Sequence, residues 1–196
     1  AWNRRHNKDN ASQIEDALES DETPLEKIEL ALEQLDHSVS SEIIERIQNL
    51  SPKFLEIVVL ELLHAMGYGD ASTDIEHLGG PGDEGVDGVT NQDALGLQRI
   101  YVQAKRYKSE NSIGRPEIQK FVGALTGLGA NGGVFITTSS FTSDAREYAL
   151  KSQLSPRIVL IDGTELGQLM IRHKIGVQEK RSYSVVEIDE DYFEED

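Results

Sequence analysis

Two stretches decide the fold: GVDGVT at residues 85–90 and RIYVQAK at residues 99–105. In the second stretch, apolar and polar side chains alternate, which is typical of a β-strand with one buried face. Glycines flank Asp87 in the first stretch and let the backbone bend closely, so an acid is expected at the start of a short strand at 86–89. The apolar side of the second strand comprises Ile100, Val102 and Ala104, and its other side comprises Tyr101, Gln103 and Lys105.

Asp87, Gln103 and Lys105 together supply a carboxylate, an amide and an ammonium, a set that suits phosphodiester hydrolysis. Gln103 and Lys105 are two residues apart on one strand, so both side chains emerge on the same face. Because Mg²⁺ prefers oxygen ligands and keeps several waters, the predicted ligands are Asp87, Gln103 and the backbone carbonyl of Ala104. The metal would polarise the phosphate, and Lys105 would orient the attacking water and offset developing charge.

The segments that follow alternate between helix and strand patterns. We predict helices at 116–128, 143–153 and 164–173, and buried strands at 133–138 and 157–161. A further strand is predicted at 72–77 and a glycine-rich loop at 79–82, with Asp83 and Glu84 interpreted as acids of that loop. Strands that alternate with helices after a hairpin predict an α/β sandwich around a mixed sheet.

Three helices are predicted before the motif, after a frayed helix or linker at 1–23. Thr23 and Pro24 begin the first, and its apolar residues mark one face from Leu25 to Leu35. A second, short helix is predicted from Ser40 or Ser41 to Leu50, with its three isoleucines facing inward. The third begins at Ser51-Pro52, has apolar residues at helical spacing and ends at Gly67.

The composition excludes several classes of protein. The chain of 196 residues has no cysteine, which excludes disulfide frameworks and thiolate metal sites. No apolar run approaches the ~20 residues of a membrane span, and the polar start does not resemble a signal peptide, so we expect a cytoplasmic protein with no membrane partner. The five histidines lack metal-ligand spacing, and no Gly-Lys-Ser/Thr follows the glycines, which argues against a zinc site and a P-loop.

The formal net charge of −16 is unevenly distributed. Residues 61–98 carry 8 acidic groups and no Lys or Arg, whereas residues 99–120 carry 6 basic and 2 acidic groups. The acidity outside 99–182 fits either a halophile's solvated surface or a dedicated acidic tail, the last 14 residues carrying 7 acidic groups. The basic residues predicted to hold the DNA backbone beside the site are Arg106, Lys108, Arg115 and Lys120.

The combined motif resembles the Mrr-like restriction endonucleases of the PD-(D/E)XK nuclease superfamily. The similarity lies in GVDG at 85–88 and YVQAKRY at 101–107, with Gln103 at the acidic position, as is common in the Mrr branch. It continues through FVGAL at 121–125, GVFITTS at 133–139 and LIDG at 160–163, so it covers about residues 51–172. The resemblance implies a three-layer restriction-endonuclease-like sandwich with a central mixed β-sheet, preceded by a helical N-terminal extension.

The resemblance also implies a carboxylate on the first core helix that assists the metal. Its spacing to Gly67-Tyr68 selects Glu56, with Glu61 as runner-up, although Leu55 stands where the family usually has phenylalanine. Family members often carry an N-terminal winged-helix module that selects the DNA. Residues 1–50 are too short and too acidic for that module and are interpreted as its trailing helices, with the catalytic domain at 51–182 and an acidic tail at 183–196.

We therefore expect an endonuclease that hydrolyses double-stranded DNA with Mg²⁺, for which Mn²⁺ can substitute, and that restricts foreign or modified DNA. Cutting both strands implies a homodimer on DNA. Two alternatives stay open: a Holliday-junction resolvase-like or repair nuclease of the same fold, and a non-catalytic DNA-binding module, since a glutamine at 103 weakens metal affinity.

Two further interpretations stay open near the predicted site. Thr137, Thr138 and Ser139 precede a helix and act either in capping, with Thr142 or Ser143 as the favoured cap, or by binding phosphate through Thr138 and Ser139. Gln119 faces either solvent or the DNA.

Overall fold

The computed structural model describes residues 22–69, 76–77, 86–92, 97–151 and 156–194. Its helices and strands follow the chain in this order: α1 (Pro24–Gln48), α2 (Pro52–Ala65), β1 (Glu76–His77), β2 (Gly88–Asn91), β3 (Arg99–Lys105), α3 (Arg115–Gly127), β4 (Gly132–Thr137), α4 (Ser143–Leu150), β5 (Arg157–Ile161), α5 (Gly163–Arg172) and a short 3-10 helix (Glu190–Phe193). The predicted loop at 79–82, Asp83, Glu84 and the segment 1–21 lie outside the described residues, as does most of the predicted strand at 72–77.

The five strands form one mixed sheet in the order β1-β2-β3-β4-β5. The pairs β1–β2 and β2–β3 are antiparallel, and β3–β4 and β4–β5 are parallel. The predicted mixed sheet is therefore confirmed. Its carboxyl edge, where the parallel strands β3 and β4 end, is the edge that carries Lys105.

Helices cover both faces of the sheet and make three layers. On one face, α1, α2 and α5 pack through residues such as Ile47, Val59 and Leu166 against Val102 and Ile136. On the other face, α3 and α4 enclose a second cluster that includes Phe121, Phe135, Phe141 and Ala145. The rings of Phe121 and Phe141 each meet Phe135 edge-on, an arrangement that aromatic pairs prefer. The predicted α/β sandwich is confirmed.

Local signals set the helix ends where the sequence predicted them. Thr23 caps α1 in a capping box with Glu26, whose pKa is lowered by the hydrogen bonds from the backbone and side chain of Thr23. Ser51 caps α2, and Gly67 follows it with a φ of 93°, a conformation that favours glycine. Each cap satisfies a backbone N–H that the helix itself leaves unpaired.

The predicted break near Ser40 is wrong, because α1 is one continuous helix of 25 residues. Nothing in the segment forces a break, since it contains no interior proline or glycine. Ile44 and Ile47 are buried as predicted, whereas the face from Leu25 to Leu35 is exposed. The two halves of α1 therefore have different surroundings.

The predicted burial of β5 is only partly correct. The strand lies at the edge of the sheet, and its side chains alternate between exposed and more buried positions. Val159 is 54% exposed, whereas Ile161 is buried. The continuous apolar run did not distinguish an edge strand from a central one, because both are rich in β-branched residues.

None of the helices in the described ranges is long and apolar enough to cross a membrane.

Candidate active site

Asp87 lies one residue before β2 and is fixed to the end of β3 by three hydrogen bonds. Its backbone N–H donates to the Val102 carbonyl at 2.8 Å. Its carboxylate oxygen Oδ2 accepts from the Ala104 N–H at 2.7 Å and from Gln103 Nε2 at 2.9 Å. The predicted convergence of Asp87 with the end of β3 is thus present in the structure.

Asp87 can reach the end of β3 because β3 extends further than its antiparallel partner β2. The pairing of β2 with β3 ends at Gly88 opposite Val102, whereas β3 continues to Lys105. The N–H of Ala104 points toward the side of β2 but has passed the last paired residue, so the Asp87 side chain takes the place of a ladder partner. Asp87 therefore has a structural role as well as a chemical one.

Gln103 and Lys105 share the face of β3 opposite to Val102, as the alternation predicted. Gln103 is 5% exposed, and Lys105 is half-buried at the strand end. The Lys105 carbonyl accepts hydrogen bonds from Thr137 Oγ1 at 2.8 Å and from the Thr138 N–H at 3.3 Å, which fixes the backbone of the lysine. The ion pairs of the described residues do not include one between Lys105 and Asp87.

These groups offer a divalent cation a small number of oxygen ligands. Asp87 Oδ1, the Gln103 amide oxygen and the Ala104 carbonyl are the candidates, because Asp87 Oδ2 and Gln103 Nε2 are already paired with each other. In a β-strand, the C=O of a residue points to the same side as its N–H, so the Ala104 carbonyl faces the Asp87 side. Three or more His, Cys, Asp or Glu residues do not cluster anywhere in the described part of the chain. The set therefore has one formal charge and suits a cation that keeps several waters.

The first core helix places the two candidate glutamates differently. Glu56 is half-buried on α2, next to the fully buried Leu55, and α2 packs against β3. Glu61 is exposed on the same helix. This difference favours Glu56 over Glu61 as the assisting carboxylate, in line with the sequence interpretation. The role of Glu56 at the metal stays a prediction.

The four predicted basic contacts divide into two groups. Lys108 and Lys120 are exposed and available to phosphates. Arg106 instead donates from Nη1 to the backbone carbonyl of Gln48, at the C-terminal end of α1. Arg115 forms an ion pair with Asp144 at 3.4 Å and lies 4.9 Å from the centre of the Tyr148 ring. Arg106 and Arg115 therefore already contribute to the fold.

Thr138 and Ser139 are buried, and neither caps α4, whose cap is Thr142 as favoured from the sequence. The Thr138 hydroxyl donates to the Tyr107 carbonyl at 2.7 Å and accepts from the Tyr107 N–H at 3.0 Å. Thr138 thereby holds the segment directly after Lys105. A phosphate contact from Thr138 or Ser139 stays a prediction and would require these hydroxyls to exchange an internal partner. Gln119 is exposed, which leaves a DNA contact open.

One contributor was missed by sequence reasoning. Gln48, the last residue of α1, donates from Nε2 to the Thr138 carbonyl at 2.7 Å and to Ser109 Oγ at 3.3 Å. Its own carbonyl accepts from Arg106. No local pattern marks Gln48, because its partners are 58 to 90 residues away in the chain.

A comparison with protein families assigns the chain to a family. The family model Mrr_cat, described as restriction endonuclease, matches residues 47–170. The chain belongs to this family of Mrr-type restriction endonucleases. The match includes both α2 and the Asp87, Gln103 and Lys105 positions.

Two curated proteins are similar in sequence to the chain. The chain is 46% identical over 172 residues to the type IV methyl-directed restriction enzyme EcoKMrr of Escherichia coli (strain K12), covering 88% of this chain and 55% of that enzyme. It is 29% identical over 121 residues to the uncharacterized protein y4cE of Sinorhizobium fredii (strain NBRC 101917 / NGR234), covering 59% of this chain and 30% of that protein. The chain thus spans about half the length of the first relative and less of the second.

A solved structure of a restriction endonuclease has a similar fold. The DNA modification-dependent restriction endonuclease AspBHI aligns with a TM-score of 0.55 at 17% identity, covering 72% of this chain and 36% of that one. At this identity the likeness supports the restriction-endonuclease-like architecture alone. Restriction endonucleases of the PD-(D/E)XK type generally use divalent metal ions.

Proposed function

We propose that the chain is a Mg²⁺-dependent endonuclease domain that hydrolyses phosphodiester bonds of double-stranded DNA. The observation that carries the proposal is the Asp87 carboxylate, which is held against Gln103 and Ala104 directly before Lys105. Membership of the Mrr family supports it, and we assign the catalytic domain to residues 51–182. The proposed biological role is restriction of foreign or modified DNA.

The residues of the site have separate proposed roles. Asp87, Gln103 and the Ala104 carbonyl hold Mg²⁺, and Glu56 adds a second carboxylate from α2. Bound Mg²⁺ supplies Lewis-acid polarisation of the phosphate. Lys105 projects from the same strand end, where its ammonium orients the attacking water and offsets negative charge that develops on the phosphate. The hydrogen bonds from Thr137 and Thr138 keep the Lys105 backbone in place.

DNA binding is proposed to follow the positive segment around β3. Residues 99–120 carry 6 basic and 2 acidic groups in a chain whose net charge is −16. Lys108 and Lys120 have exposed side chains for phosphate contacts, which supply sequence-independent affinity. Because the chain is acidic and these phosphate contacts are few, we expect its affinity for DNA to be low and to fall as the salt concentration is raised.

The modification state of the DNA is part of the proposal. The E. coli relative is named a methyl-directed enzyme, and we extend that property to this protein. The test is nicking of supercoiled plasmid, methylated or unmethylated, with Mg²⁺, with Mn²⁺ or with chelator. We expect cleavage that requires the metal and, where recognition is present, favours the methylated plasmid.

Asp87→Ala and Lys105→Ala are the first variants to test by plasmid nicking. Both are expected to lose cleavage by at least about 100-fold, because metal and charge stabilisation each contribute on that scale. The matched control is Lys108→Ala, which removes a nearby exposed lysine and should mainly weaken DNA binding. Full cleavage by Asp87→Ala would refute the site.

A second function, a non-catalytic DNA-binding module, is favoured by one observation. Gln103 donates its amide N–H to Asp87, so the pair is stable without a metal and carries only one charge. Calorimetry distinguishes the two functions. Binding of Mg²⁺ or Mn²⁺ that disappears in Asp87→Ala supports the nuclease, and no binding at millimolar metal supports the module.

A further inference from the structure

The N-terminal part of α1, residues 24–39, lies largely on the surface of the domain. All its side chains are exposed except Lys27, which is partly buried. The next turns are different, since Ser40, Ile44 and Ile47 are buried against the core. We call residues 24–39 the N-terminal arm. An isolated helix of this length is marginal in water, so the arm is expected to gain stability from a partner.

The N-terminal arm carries a regular apolar stripe. The steps between its members alternate between three and four residues, which is the spacing of the a and d positions of a coiled coil. These side chains are between 41% and 59% exposed, although they are large and apolar. The members of the stripe are Leu25, Ile28, Leu32, Leu35 and Val39.

We propose that the stripe is the docking surface for a second copy of this chain, with the two arms packed side by side in parallel. The a/d spacing is self-complementary, because the same stripe on the partner provides both knobs and holes. The flanking charges select the direction. Glu29 and Asp36 lie on the same side of the stripe. In an antiparallel pair, this side would face the same acidic side of the partner, and the like charges would repel. In a parallel pair, this side faces the other side, where Ala31 and Ser38 are neutral.

A groove beside the stripe adds charge complementarity. Leu32, Leu35 and Val39 form one wall of a cavity of about 650 Å³, whose other wall includes Ile171 and Val177. The cavity is also lined by three basic residues, Lys174, Lys180 and Arg181, and by two acidic ones, Asp36 and Glu179. Glu179 pairs with Lys174 at 3.4 Å, so Lys180 and Arg181 are the positive groups that the acidic side chains of a partner's arm would approach, whereas the apolar lining would cover the partner's stripe. A second acidic amphipathic arm therefore fits this groove.

Pairing of the two arms would connect the candidate active sites of the two copies. Gln48, at the other end of α1, contacts the segment that follows Lys105. Two paired arms would therefore set the spacing between two sites. The inference concerns association only and does not depend on the proposed nuclease activity.

The first experiment measures association of the 196-residue chain by analytical ultracentrifugation over micromolar to submillimolar concentrations. Leu32→Glu places a charge in the stripe and is expected to weaken the dimer by at least about tenfold. The matched control Gln34→Glu adds the same charge at an exposed position of the arm outside the stripe and should leave the dimer unchanged. A monomer at all concentrations, or equal effects of both variants, would overturn the proposal.

The second experiment uses the absence of cysteine from the chain. In a parallel pair, residue 32 of one copy faces residue 32 of the other within disulfide distance. Leu32→Cys should therefore form a covalent dimer on mild oxidation, whereas Gln34→Cys should not. Far-ultraviolet circular dichroism checks that both variants keep their helix. Efficient cross-linking of Gln34→Cys alone would place the contact on another face and exclude the stripe.

Discussion

Asp87 combines two roles at the residue scale, because its carboxylate accepts two N–H groups at the end of β3. Both N–H groups bind the oxygen Oδ2, which leaves Oδ1 for a cation. The Gln103 amide also stabilises the carboxylate when no metal is bound. A glutamic acid at 103 would bind a cation better but would repel Asp87 in its absence.

Gln103→Glu tests this balance. Without metal, we expect the free energy of unfolding to fall by about 1–3 kcal/mol, because Asp87 loses a donor and gains a like charge. Added Mg²⁺ should restore stability and bind more tightly than in the wild type, since the substitution adds a carboxylate to the site. Thermal unfolding with chelator and with increasing Mg²⁺ measures both effects.

The control for this prediction is Gln34→Glu, which makes the same substitution on the exposed surface of α1. Its stability should change little and should not respond specifically to Mg²⁺. If Mg²⁺ fails to stabilise Gln103→Glu, residue 103 is not next to the metal.

The sequence predicted this part of the site well, and the reason is local geometry. Alternation along β3 placed Gln103 and Lys105 on one face, and the glycines beside Asp87 predicted the strand start. Arg106 follows in the same basic run, but its guanidinium binds the Gln48 carbonyl. Nothing local distinguishes an arginine that contacts DNA from one that contacts the end of a distant helix.

Gly133 illustrates packing at the element scale, where β4 lies under α3. A Cβ at Gly133 would come within 2.8 Å of Leu125 Cδ1 and of Phe121 Cζ. Gly133→Ala is therefore expected to lower the free energy of unfolding by about 1–3 kcal/mol through overpacking. Chemical denaturation measures the change.

Gly123 provides the matched comparison for Gly133, because a Cβ there would meet nothing within 4 Å. It lies on an exposed position of α3, so Gly123→Ala should stabilise the protein by up to about 1 kcal/mol through helix propensity. Equal effects of the two substitutions would contradict the packing of α3 on β4.

Gln48 connects two elements, since it joins the end of α1 to the segment after β3. Gln48→Ala removes its hydrogen bonds to Thr138 and Ser109, so we expect stability to fall by about 1–2 kcal/mol. Hydrogen exchange of the Tyr107 amide should accelerate, because Tyr107 is held by Thr138. Gln34→Ala replaces the same residue type at an exposed position within α1. It should alter neither the stability nor the exchange rate of the Tyr107 amide. Unchanged exchange at Tyr107 would exclude Gln48 as a positioning residue.

The net charge of −16 acts at the scale of the whole molecule. Repulsion among the acidic groups destabilises the compact state, and salt screens this repulsion. We expect the unfolding temperature to rise as NaCl is raised, while DNA affinity falls because phosphate contacts release counterions. Thermal unfolding and fluorescence anisotropy measure the two trends. A fall in unfolding temperature with NaCl would show that specific ion pairs outweigh general repulsion.

The sequence by itself determined the order of most strands and helices, their caps and the meeting of Asp87 with Gln103. These features depend on strand alternation, helical spacing and capping residues, all of which act over a few neighbouring positions. Only the tertiary structure decided that α1 is continuous, that its apolar stripe is exposed, that β5 is an edge strand and that Thr138 holds Tyr107. Those outcomes depend on contacts between distant segments, such as Gln48 with Thr138, 90 residues apart, which no local pattern encodes.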